Sequence, residues 1–281
     1  HRDHPVETTI EATKALRDAG FKVVYHTMPN LLGSSLKMDL DMHKDLFSKP
    51  DFQPDQIKIY PCMLLKNTKL YKWYLQGKYK PFTTKQLVDL MVKIKKHIPE
   101  YTRVIRVVRD IPSKHIVDGN KVTNLRQLVH AHKDFVCNCI RCREPMSSDY
   151  DRLHAVMKIT QYEANFGQEY FIAYESQDHK TLYGYVRLRL PDKQKHYIKE
   201  LQDAALIREL HVYGMVVPLD AKGSSHVQHK GLGKKLMQQA ENIAKEQGFE
   251  KIAVIAGIGV REYYKKQLGY KLGETYMLKN L

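Results

Sequence analysis

The alternation of apolar and polar residues changes character near the middle of the chain. In the first half, apolar residues recur every three or four positions, which predicts helices, and short apolar runs that end in Pro follow them, which predicts strands. The predicted helices span residues 6–20, 84–99 and 122–134; the predicted strands span residues 21–29, 57–61 and 102–112, with an irregular stretch between the first two strands. This order indicates an α/β layer or barrel with parallel strands. Because no strand–helix pair precedes residue 6, we expect such a barrel to be incomplete.

In the second half, the predicted strands succeed one another with turns between them, as in an antiparallel sheet. These strands span residues 169–175, 181–190 and 206–217, and they are followed by a helix to about residue 247, a strand at 251–257, a short helix at 261–267 and a final strand at 270–281. A polar, turn-rich segment at 143–152 separates the two halves. We therefore predict an α/β domain at 1–134, a cysteine-rich linker at 135–152 and a second domain at 153–281.

The composition fits a globular protein with a polyanionic partner. Hydrophobic residues make up 43% of the 281 positions, which excludes a wholly disordered chain. Lys and Arg number 46 against 31 Asp and Glu, a net charge of +15. Such a balance favours binding to nucleic acid, although a solvated lysine-rich surface gives the same count. With no apolar run of about 18 residues we expect no membrane span. The chain begins at His1 rather than Met and shows no signal peptide, so we expect a cytoplasmic fragment.

The segment "VQHKGLGKKLM" (227–237) places two glycines between a predicted strand and a predicted helix. Glycine allows a ligand to approach the backbone closely, and the first N–H groups of a helix bind a phosphate or pyrophosphate. Lysines on both sides of Gly231 and Gly233 add positive charge. A tight helix entry without any ligand would need the same two glycines. The dinucleotide fingerprint is excluded because its third glycine is missing.

Three of the four cysteines lie in "CNCIRC", at positions 137, 139 and 142. This spacing is too tight for an ordinary disulfide framework and indicates a reducing compartment. Three thiolates in one loop can share a tetrahedral Zn²⁺, so we predict that Cys137, Cys139 and Cys142 bind zinc. A buried, reduced cluster without metal is the alternative. The fourth ligand is not evident, although His130 and His132 are near in sequence.

A basic run at 66–96 carries nine lysines against one acid, Asp89, with five aromatic residues among them. Lysines attract phosphates without sequence preference, and aromatic faces stack on exposed bases. The alternative is that the rings belong to the core of a helix. We predict an RNA-facing patch, with Arg106 and Arg109 as further candidates. Its lysines are Lys66, Lys69, Lys72, Lys78 and Lys80.

A family resemblance joins these observations. The pattern Q-x-x-G-x-G after a long strand, followed by a helix, a strand and a short helix with tyrosines, resembles the acetyl-CoA site of GNAT acyltransferases. More specifically, "RELHVYG" (208–214), "REYYKKQLGY" (261–270) and the terminal "YMLKNL" are similar to the acetyltransferase domain of the Elongator catalytic subunit family. The segments "GFKVVYHTMPNLLGS", "YTRVIRVVRDIP" and "NLRQLV" resemble the later part of that family's radical-SAM domain.

The resemblance implies a partial radical-SAM-type α/β barrel, a zinc-binding linker and a C-terminal GNAT domain. It places the acetyl-CoA contacts on Glu209, Leu210, His211, Val212, Val227, Gln228, His229 and Tyr264, with Gly231 and Gly233 at the pyrophosphate. Tyr264 would donate a proton to the leaving thiolate, Tyr263 would orient the substrate, and Glu209 or His211 would activate water. A Glu held by an ion pair in a strand, and a tyrosine pair with one ring in the core, are the alternatives.

For the family as a whole, the resemblance implies that acetyl-CoA and S-adenosylmethionine together modify C5 of the wobble uridine of tRNA. Elongator-type subunits or a second copy of the chain are the implied protein partners. The family's [4Fe-4S] cluster is held by a C-x-n-C-x-x-C motif that is absent here, and Cys62 alone cannot replace it. Two other functions remain open: a protein lysine acetyltransferase and a non-catalytic RNA-binding module.

Overall fold

A computed structural model describes residues 3–145, 154–192, 196–213 and 231–281. The chain divides into two compact units, one formed by His1–Val23 with Arg143–Leu281 and the other by Val24–Cys142. The division into 1–134, 135–152 and 153–281 stays a prediction. The end of the predicted strand at 206–217 and much of the predicted linker lie outside the described residues.

The described residues contain seven α-helices and twelve strands. In chain order they are α1 Val6–Asp18, β1 Val24–Thr27, α2 Leu36–Ser48, β2 Gln56–Ile59, β3 Leu64–Leu65, α3 Lys69–Leu75, α4 Thr84–Lys96, β4 Arg103–Arg106, β5 Ile116–Asp118, α5 Leu125–His130, β6 Val156–Ala164, β7 Gly167–Glu175, β8 Leu182–Leu190, β9 Ala204–Val212, α6 Leu232–Glu246, β10 Lys251–Val254, α7 Arg261–Leu268, β11 Lys271–Leu272 and β12 Met277–Asn280. In the described part of the chain, every helix is too short or too polar to span a bilayer.

The unit at Val24–Cys142 is built on a parallel sheet of three strands in the order β1-β2-β4. Alternate residues of a strand point to opposite faces, and Ile57, Ile59 and Val104 are buried on one of them against α2 and α4. Helix α4 starts at a capping box in which the Thr83 and Gln86 side chains satisfy each other's backbone N–H groups. The predicted α/β fold with parallel strands is confirmed.

Two elements of this unit differ from the sequence prediction. The stretch predicted as irregular contains α2, whose N-cap Ser35 accepts a hydrogen bond from the Met38 N–H. Part of the lysine-rich run forms the short helix α3, which follows strand β3 and is capped by Thr68. Strand β3 pairs with β5 in a small antiparallel ribbon.

The other unit contains a sheet of seven strands in the order β11-β12-β10-β9-β8-β7-β6. Strands β6 to β9 form an antiparallel meander, of which β7, β8 and β9 were predicted and β6 was not, whereas β9 and β10 are parallel. A parallel connection needs a long crossover, and helix α6 lies within it. The apolar face of α6 packs on the sheet in the main core of this unit.

Helix α1 joins this unit through buried ion pairs. Arg17 donates to Glu169, and Arg189 contacts Asp18 at 2.6 Å and Glu169 at 3.1 Å. Arg208 adds a further contact to Glu169 at 2.8 Å. All five side chains are at least nine-tenths buried, so their charges are compensated by one another instead of by water.

Candidate active site

A cleft opens where strands β9 and β10 separate. Their parallel pairing runs from Ala204↔Lys251 to Ile207↔Val254, whereas β9 continues to Val212 in register with β8. Arg187 of β8 pairs with Glu209, whereas the next residue, Leu188, pairs with Ile207. Arg208 is therefore an extra residue in β9, and this bulge shifts the β8–β9 register between the two parts of β9. Strand β9 therefore extends five residues past its last registered pair with β10.

A cavity of about 690 Å³ lies at this opening. Its lining residues come from β9, the start of α6 and the helix α7 region; they are Leu210, Val212, Gly231, Gly233, Lys234, Val260, Tyr263, Tyr264 and Gln267. This volume is ordinary for a cofactor site. The first N–H groups of α6 and the positive end of its dipole lie at the cavity, so the site suits an anionic group such as a pyrophosphate.

The two predicted glycines are not equivalent. A Cβ at Gly233 would lie 3.0 Å from the Tyr263 hydroxyl, so a side chain there would narrow the cleft. Gly231 caps α6 in an extended conformation, and a Cβ there meets no described atom within 4 Å. The described residues therefore favour glycine at position 233 for lack of space, and they leave room for a side chain at position 231. The other predicted contacts in this segment, Val227, Gln228 and His229, lie outside the described residues.

Tyr264 is the buried member of the tyrosine pair on α7. Its ring meets those of Tyr263 and Tyr270 edge to face, at 5.7 and 5.8 Å between centroids. The Tyr270 hydroxyl in turn donates to Glu241 at 2.8 Å. Burial, with a smaller effect of Tyr263, raises the pKa of Tyr264 to about 12. The phenol therefore keeps its proton at neutral pH and can serve as a hydrogen-bond or proton donor.

A second cavity of about 390 Å³ is lined in part by the same strand. It is lined by residues of the segment after α1, of β9 and of the segment after β10; among them are Lys22, Arg208, Glu209, His211, Ile255 and Gly257. Leu210, Val260 and Tyr264 line both cavities. The two cavities are therefore next to each other.

The two candidate bases differ in their surroundings. Glu209 accepts from Lys22 at 2.8 Å and from Arg187 at 3.0 Å. Burial acts to raise the pKa of Glu209, but Arg187 and Lys22 together bring it below its ordinary value, which makes the carboxylate a weak base. His211 is exposed, with its ring 4.4 Å from that of Tyr213. Sequence reasoning missed Lys22 and Arg187, which lie far from Glu209 along the chain.

The predicted cysteine cluster forms in the other unit. The sulfur atoms of Cys137, Cys139 and Cys142 lie within 4.8 Å of one another. Lys95 is fully buried beside them, with its Nζ 3.4 Å from the Cys142 Sγ. Burial acts to lower the pKa of Lys95, but the three cysteines together raise it, so the ammonium persists. Hydrogen bonds from Cys137 and then Cys142 hold the pKa of the Cys139 thiol well below its ordinary value.

The donor set fits zinc. Tetrahedral Zn²⁺ with bonds of about 2.3 Å needs sulfur atoms about 3.8 Å apart, which is within the 4.8 Å limit on the separations found here. His130 lies nearby, with its Nε2 3.9 Å from the Cys142 Sγ, whereas His132 points toward Asp89 at 3.5 Å. Burial, with Lys95 and Arg126 close by, lowers the pKa of His130, which favours the neutral imidazole that binds a metal.

The predicted RNA-facing lysines are exposed, as a phosphate-binding patch requires; they are Lys66, Lys69, Lys72, Lys78 and Lys80. Some of the aromatic residues among these lysines are placed to stack on bases, and others belong to the core. Tyr71 and Tyr74 stack on each other at 6.4 Å, whereas Tyr79 is buried and donates to the Asn30 carbonyl, and Phe82 packs against the core. Lys66 also lines a cavity of about 790 Å³ together with Lys114 and His115.

Two family models match the chain. The radical-SAM C-terminal domain matches residues 54–135, and the acetyltransferase (GNAT) family matches residues 137–270. A tRNA uridine(34) acetyltransferase of Methanocaldococcus jannaschii is 44% identical over 100% of this chain and 53% of its own length. Elongator complex protein 3 of Saccharomyces cerevisiae is 41% identical over 100% of this chain and 52% of its own length.

A solved structure agrees with these matches. The archaeal Methanocaldococcus infernus Elp3, with an N-terminal deletion, superposes with a TM-score of 0.89 at 41% identity, covering 100% of this chain and 68% of that chain. The present chain spans about half the length of the curated relatives it matches.

Proposed function

Because the chain belongs to the family of the tRNA uridine(34) acetyltransferases and Elongator complex protein 3, we propose that it carries the acetyl-CoA site of a tRNA wobble-uridine-modifying enzyme. The observation that supports this most directly is the pair of cavities that share Tyr264. The volume of the first cavity and the helix N-terminus at it support the binding of an acyl-CoA, and in this proposal the second cavity holds the acceptor.

In this proposal, different residues of the chain bind the cofactor, donate a proton and set the width of the cleft. The first N–H groups of α6 and Lys234 hold the pyrophosphate, and the backbone of β9 at Leu210 and Val212 lies along the pantetheine arm. The neutral phenol of Tyr264 donates to the sulfur of the departing CoA, which lowers the cost of the thiolate. Tyr263 is fixed opposite Gly233 and limits the width of the cleft.

On the acceptor side, we assign the role of base to His211 in preference to Glu209. The Glu209 carboxylate is paired with Lys22 and Arg187 and has a lowered pKa, so it gains little by taking a proton. An imidazole has an ordinary pKa near 6.5 and suits proton transfer at neutral pH. In our proposal Glu209 acts instead as the anchor that fixes Lys22 at the wall of the second cavity.

We further propose that Cys137, Cys139 and Cys142 hold one zinc ion, with His130 as the fourth ligand. The buried Lys95 and the nearby Arg126 balance the negative charge of three thiolates. A thiol cluster with a lysine among its sulfur atoms and a histidine beside it fits zinc better than an iron–sulfur cluster. In this proposal, S-adenosylmethionine and [4Fe-4S] chemistry belongs to the longer family proteins.

The expected polyanionic substrate is tRNA, which accords with the net charge of +15 and the exposed lysines near α3. Elongator-type subunits or a second copy of the chain are the proposed protein partners. The free cysteines fit a reducing compartment, and we propose the cytoplasm.

The test is release of free CoA from acetyl-CoA by the intact protein, with and without tRNA. We expect release that depends on tRNA and falls at least about 100-fold when Tyr264 is replaced by Phe. Acetylation of a lysine peptide at a rate unaffected by tRNA would point to a protein lysine acetyltransferase instead. Tight tRNA binding with no acetyl-CoA binding would leave only the RNA-binding module.

A further inference from the structure

Strand β8 carries a buried tyrosine on the face of the seven-stranded sheet that lies away from α6. Val186 and Leu188 of β8 pack in the main core together with α6. Because alternate residues of a strand point to opposite faces, Tyr185 lies on the other side of the sheet, where it is buried. Its register partner on β9 is His211, the residue to which we assign the role of base. The sheet therefore places a buried aromatic ring directly beside that imidazole.

The rings of two tyrosines pack against the His211 ring. The centroid of the Tyr185 ring lies 5.6 Å from that of His211, with 31° between the ring planes. Tyr213, two residues along the chain from His211, meets it edge to face at 4.4 Å between centroids and 71° between planes. Both distances are within the range of about 6 Å over which an aromatic ring attracts a cation. We call Tyr185 and Tyr213 the ring pair.

The backbone holds His211 beside Tyr185. A Cβ at Gly184, the residue before Tyr185, would lie 3.0 Å from the carbonyl oxygen of His211, so strands β8 and β9 approach closely at this point. One step further along, the N–H of Tyr213 donates to the Tyr183 carbonyl at 2.9 Å. Pairing of the two strands therefore continues past His211, which fixes its backbone next to the ring pair.

Each tyrosine of the ring pair is anchored at its hydroxyl. Burial, and to a smaller extent the Glu209 carboxylate, raises the pKa of Tyr185, so that the phenol keeps its proton and donates a hydrogen bond to Glu209. The Tyr213 hydroxyl donates to the Glu144 carboxylate at 3.0 Å. These two anchors restrict the rotation of both tyrosine rings, and the His211 ring that packs against them is restricted as well.

We propose that Tyr185 and Tyr213 are positioning residues for the base of the reaction: they hold the His211 imidazole in one orientation and stabilise the imidazolium that it becomes. The inference rests on the proposed function, in which His211 is the base. With water as the attacking group, a water O–H bond breaks and an N–H bond forms on His211 while the hydroxide adds to the thioester carbon. The C–S bond then breaks to give acetic acid and CoA, whose sulfur takes the Tyr264 proton, and the proton on His211 restores the Tyr264 phenol.

The stabilisation follows from the charge distribution of the rings. An aromatic ring is negative on its face and attracts a cation there, so the ring pair favours the imidazolium over the imidazole. The other titratable and charged groups around His211 are Lys22 after α1, Glu144 before β6, Tyr183 and Arg187 on β8, Arg208 and Glu209 on β9, and Tyr264 on α7. Replacing a tyrosine of the ring pair by an apolar residue alters none of those charges, so a change in the titration of His211 then reports the rings.

The test follows CoA release from acetyl-CoA by the intact protein, with tRNA present, across a pH series. Tyr185→Leu and Tyr213→Leu each remove one ring and should lower kcat by about 10-fold or more, because a displaced base reacts poorly, while the KM for acetyl-CoA stays unchanged. A base works only when it is unprotonated, so a less stable imidazolium keeps activity at lower pH. The acid limb of kcat should move down by about half a pH unit in each variant.

Conservative variants and a matched control separate positioning from packing. Tyr185→Phe and Tyr213→Phe keep the rings and should keep the acid limb of the wild type. The control is Tyr170→Leu, the same change at a buried tyrosine of β7 that packs in the main core, and it should leave the acid limb in place. Tyr213 is half-buried, so Tyr213→Leu decides the matter if Tyr185→Leu does not fold. An acid limb that stays in place in the folded Leu variants, or that moves equally in the control, would overturn the proposal.

A spectroscopic readout distinguishes failure of the ring pair from failure of the proposed function. The imidazole signal of His211 in the NMR spectrum, identified by its loss in His211→Gln, gives the titration of His211 without turnover. A midpoint that falls in the Leu variants and not in the Phe variants is the expected result, and a midpoint equal in all of them refutes the ring pair alone. CoA release by His211→Gln at the wild-type rate refutes the base and, with it, the positioning role. Absence of CoA release by the wild type in the presence of tRNA refutes the proposed function itself.

Discussion

The short distance between a Cβ at position 233 and the Tyr263 hydroxyl allows a sharp test of the proposed acetyl-CoA cleft. Replacing Gly233 by Ala adds a methyl group 3.0 Å from the Tyr263 hydroxyl, across the opening between α6 and α7. An unstrained contact lies near 3.5 Å, so the hydroxyl must move by about 0.5 Å. The next described neighbours of that methyl, Val212 and Leu210, are at 3.8 and 3.9 Å, which are ordinary distances. The substitution therefore creates one close contact, and a second substitution can remove it.

The expected magnitude follows from that single contact. Overpacking costs about 1–3 kcal/mol, and the lower end applies because the hydroxyl is the far end of a half-buried side chain. A cost of about 1 kcal/mol on the ligand-bound cleft corresponds to about 5-fold weaker binding. An alanine near the start of a helix also gains up to about 1 kcal/mol over glycine, so the free energy of unfolding should change little. Affinity is expected to fall while stability does not.

Calorimetry of acetyl-CoA binding to the wild type, Gly233→Ala, Tyr263→Phe and the double variant measures the coupling between the two positions. Phenylalanine lacks the hydroxyl that the new methyl would touch, so the double variant should recover most of the affinity lost in Gly233→Ala. We expect a coupling of about 1 kcal/mol. A coupling below about 0.3 kcal/mol, in variants that all fold, would show that the cleft is not closed by Tyr263 as described.

Two further predictions address the chemistry and the metal. Tyr264→Phe should lower kcat for CoA release by about 100-fold or more while acetyl-CoA affinity stays within about 2-fold, as calorimetry would show. Because the folded pKa of Tyr264 is raised from 10.0 to about 12, its stabilising effect is complete below pH 10 and is lost as the pH rises through 12; the Phe variant should lack this loss in alkaline melts. Elemental analysis should find about one zinc per chain, and chelation should lower the melting temperature. Lys95→Met should weaken zinc binding by about 10- to 100-fold, whereas Lys96→Met, at the exposed neighbour, should not; equal affinities would contradict the role of Lys95.

Much of the fold could be predicted from the sequence because the local spacing of apolar residues indicates where helices and strands lie. Helix α4 combines an apolar stripe with a capping box, and α6 combines one with a glycine entry, so both were found close to their real bounds. Helix α2 was missed although Ser35 supplies an N-cap signal. Aspartate, histidine and lysine interrupt the apolar spacing of α2, and the helix is held by tertiary packing of Leu46 and Phe47.

Only those residues of the candidate site that belong to the family motif could be predicted from the sequence. The motif pointed to Leu210, Val212, Gly233 and Tyr264, which the structure brings to one cavity. It could not predict that Leu210 and Tyr264 line two cavities, because that depends on how β9 and α7 pack in the folded unit. Nor could it give Lys22 or Arg187 as partners of Glu209, since those contacts join segments far apart in sequence.

The bulge at Arg208 explains why the segment after α1 belongs to the site. The side chain of Arg208 donates to the Phe21 carbonyl at 2.9 Å and also contacts Glu169, the carboxylate that Arg17 of α1 binds. The same strand then presents Glu209 to Lys22. Residues 20–22 line the second cavity, and their contacts with Arg208 and Glu209 hold them there. A domain that began at residue 153 would lose that wall and leave Glu169 without Arg17, and removing one partner of a buried ion pair typically costs about 3–5 kcal/mol. The second cavity is therefore a property of the whole unit, α1 included, and not of the GNAT segment alone.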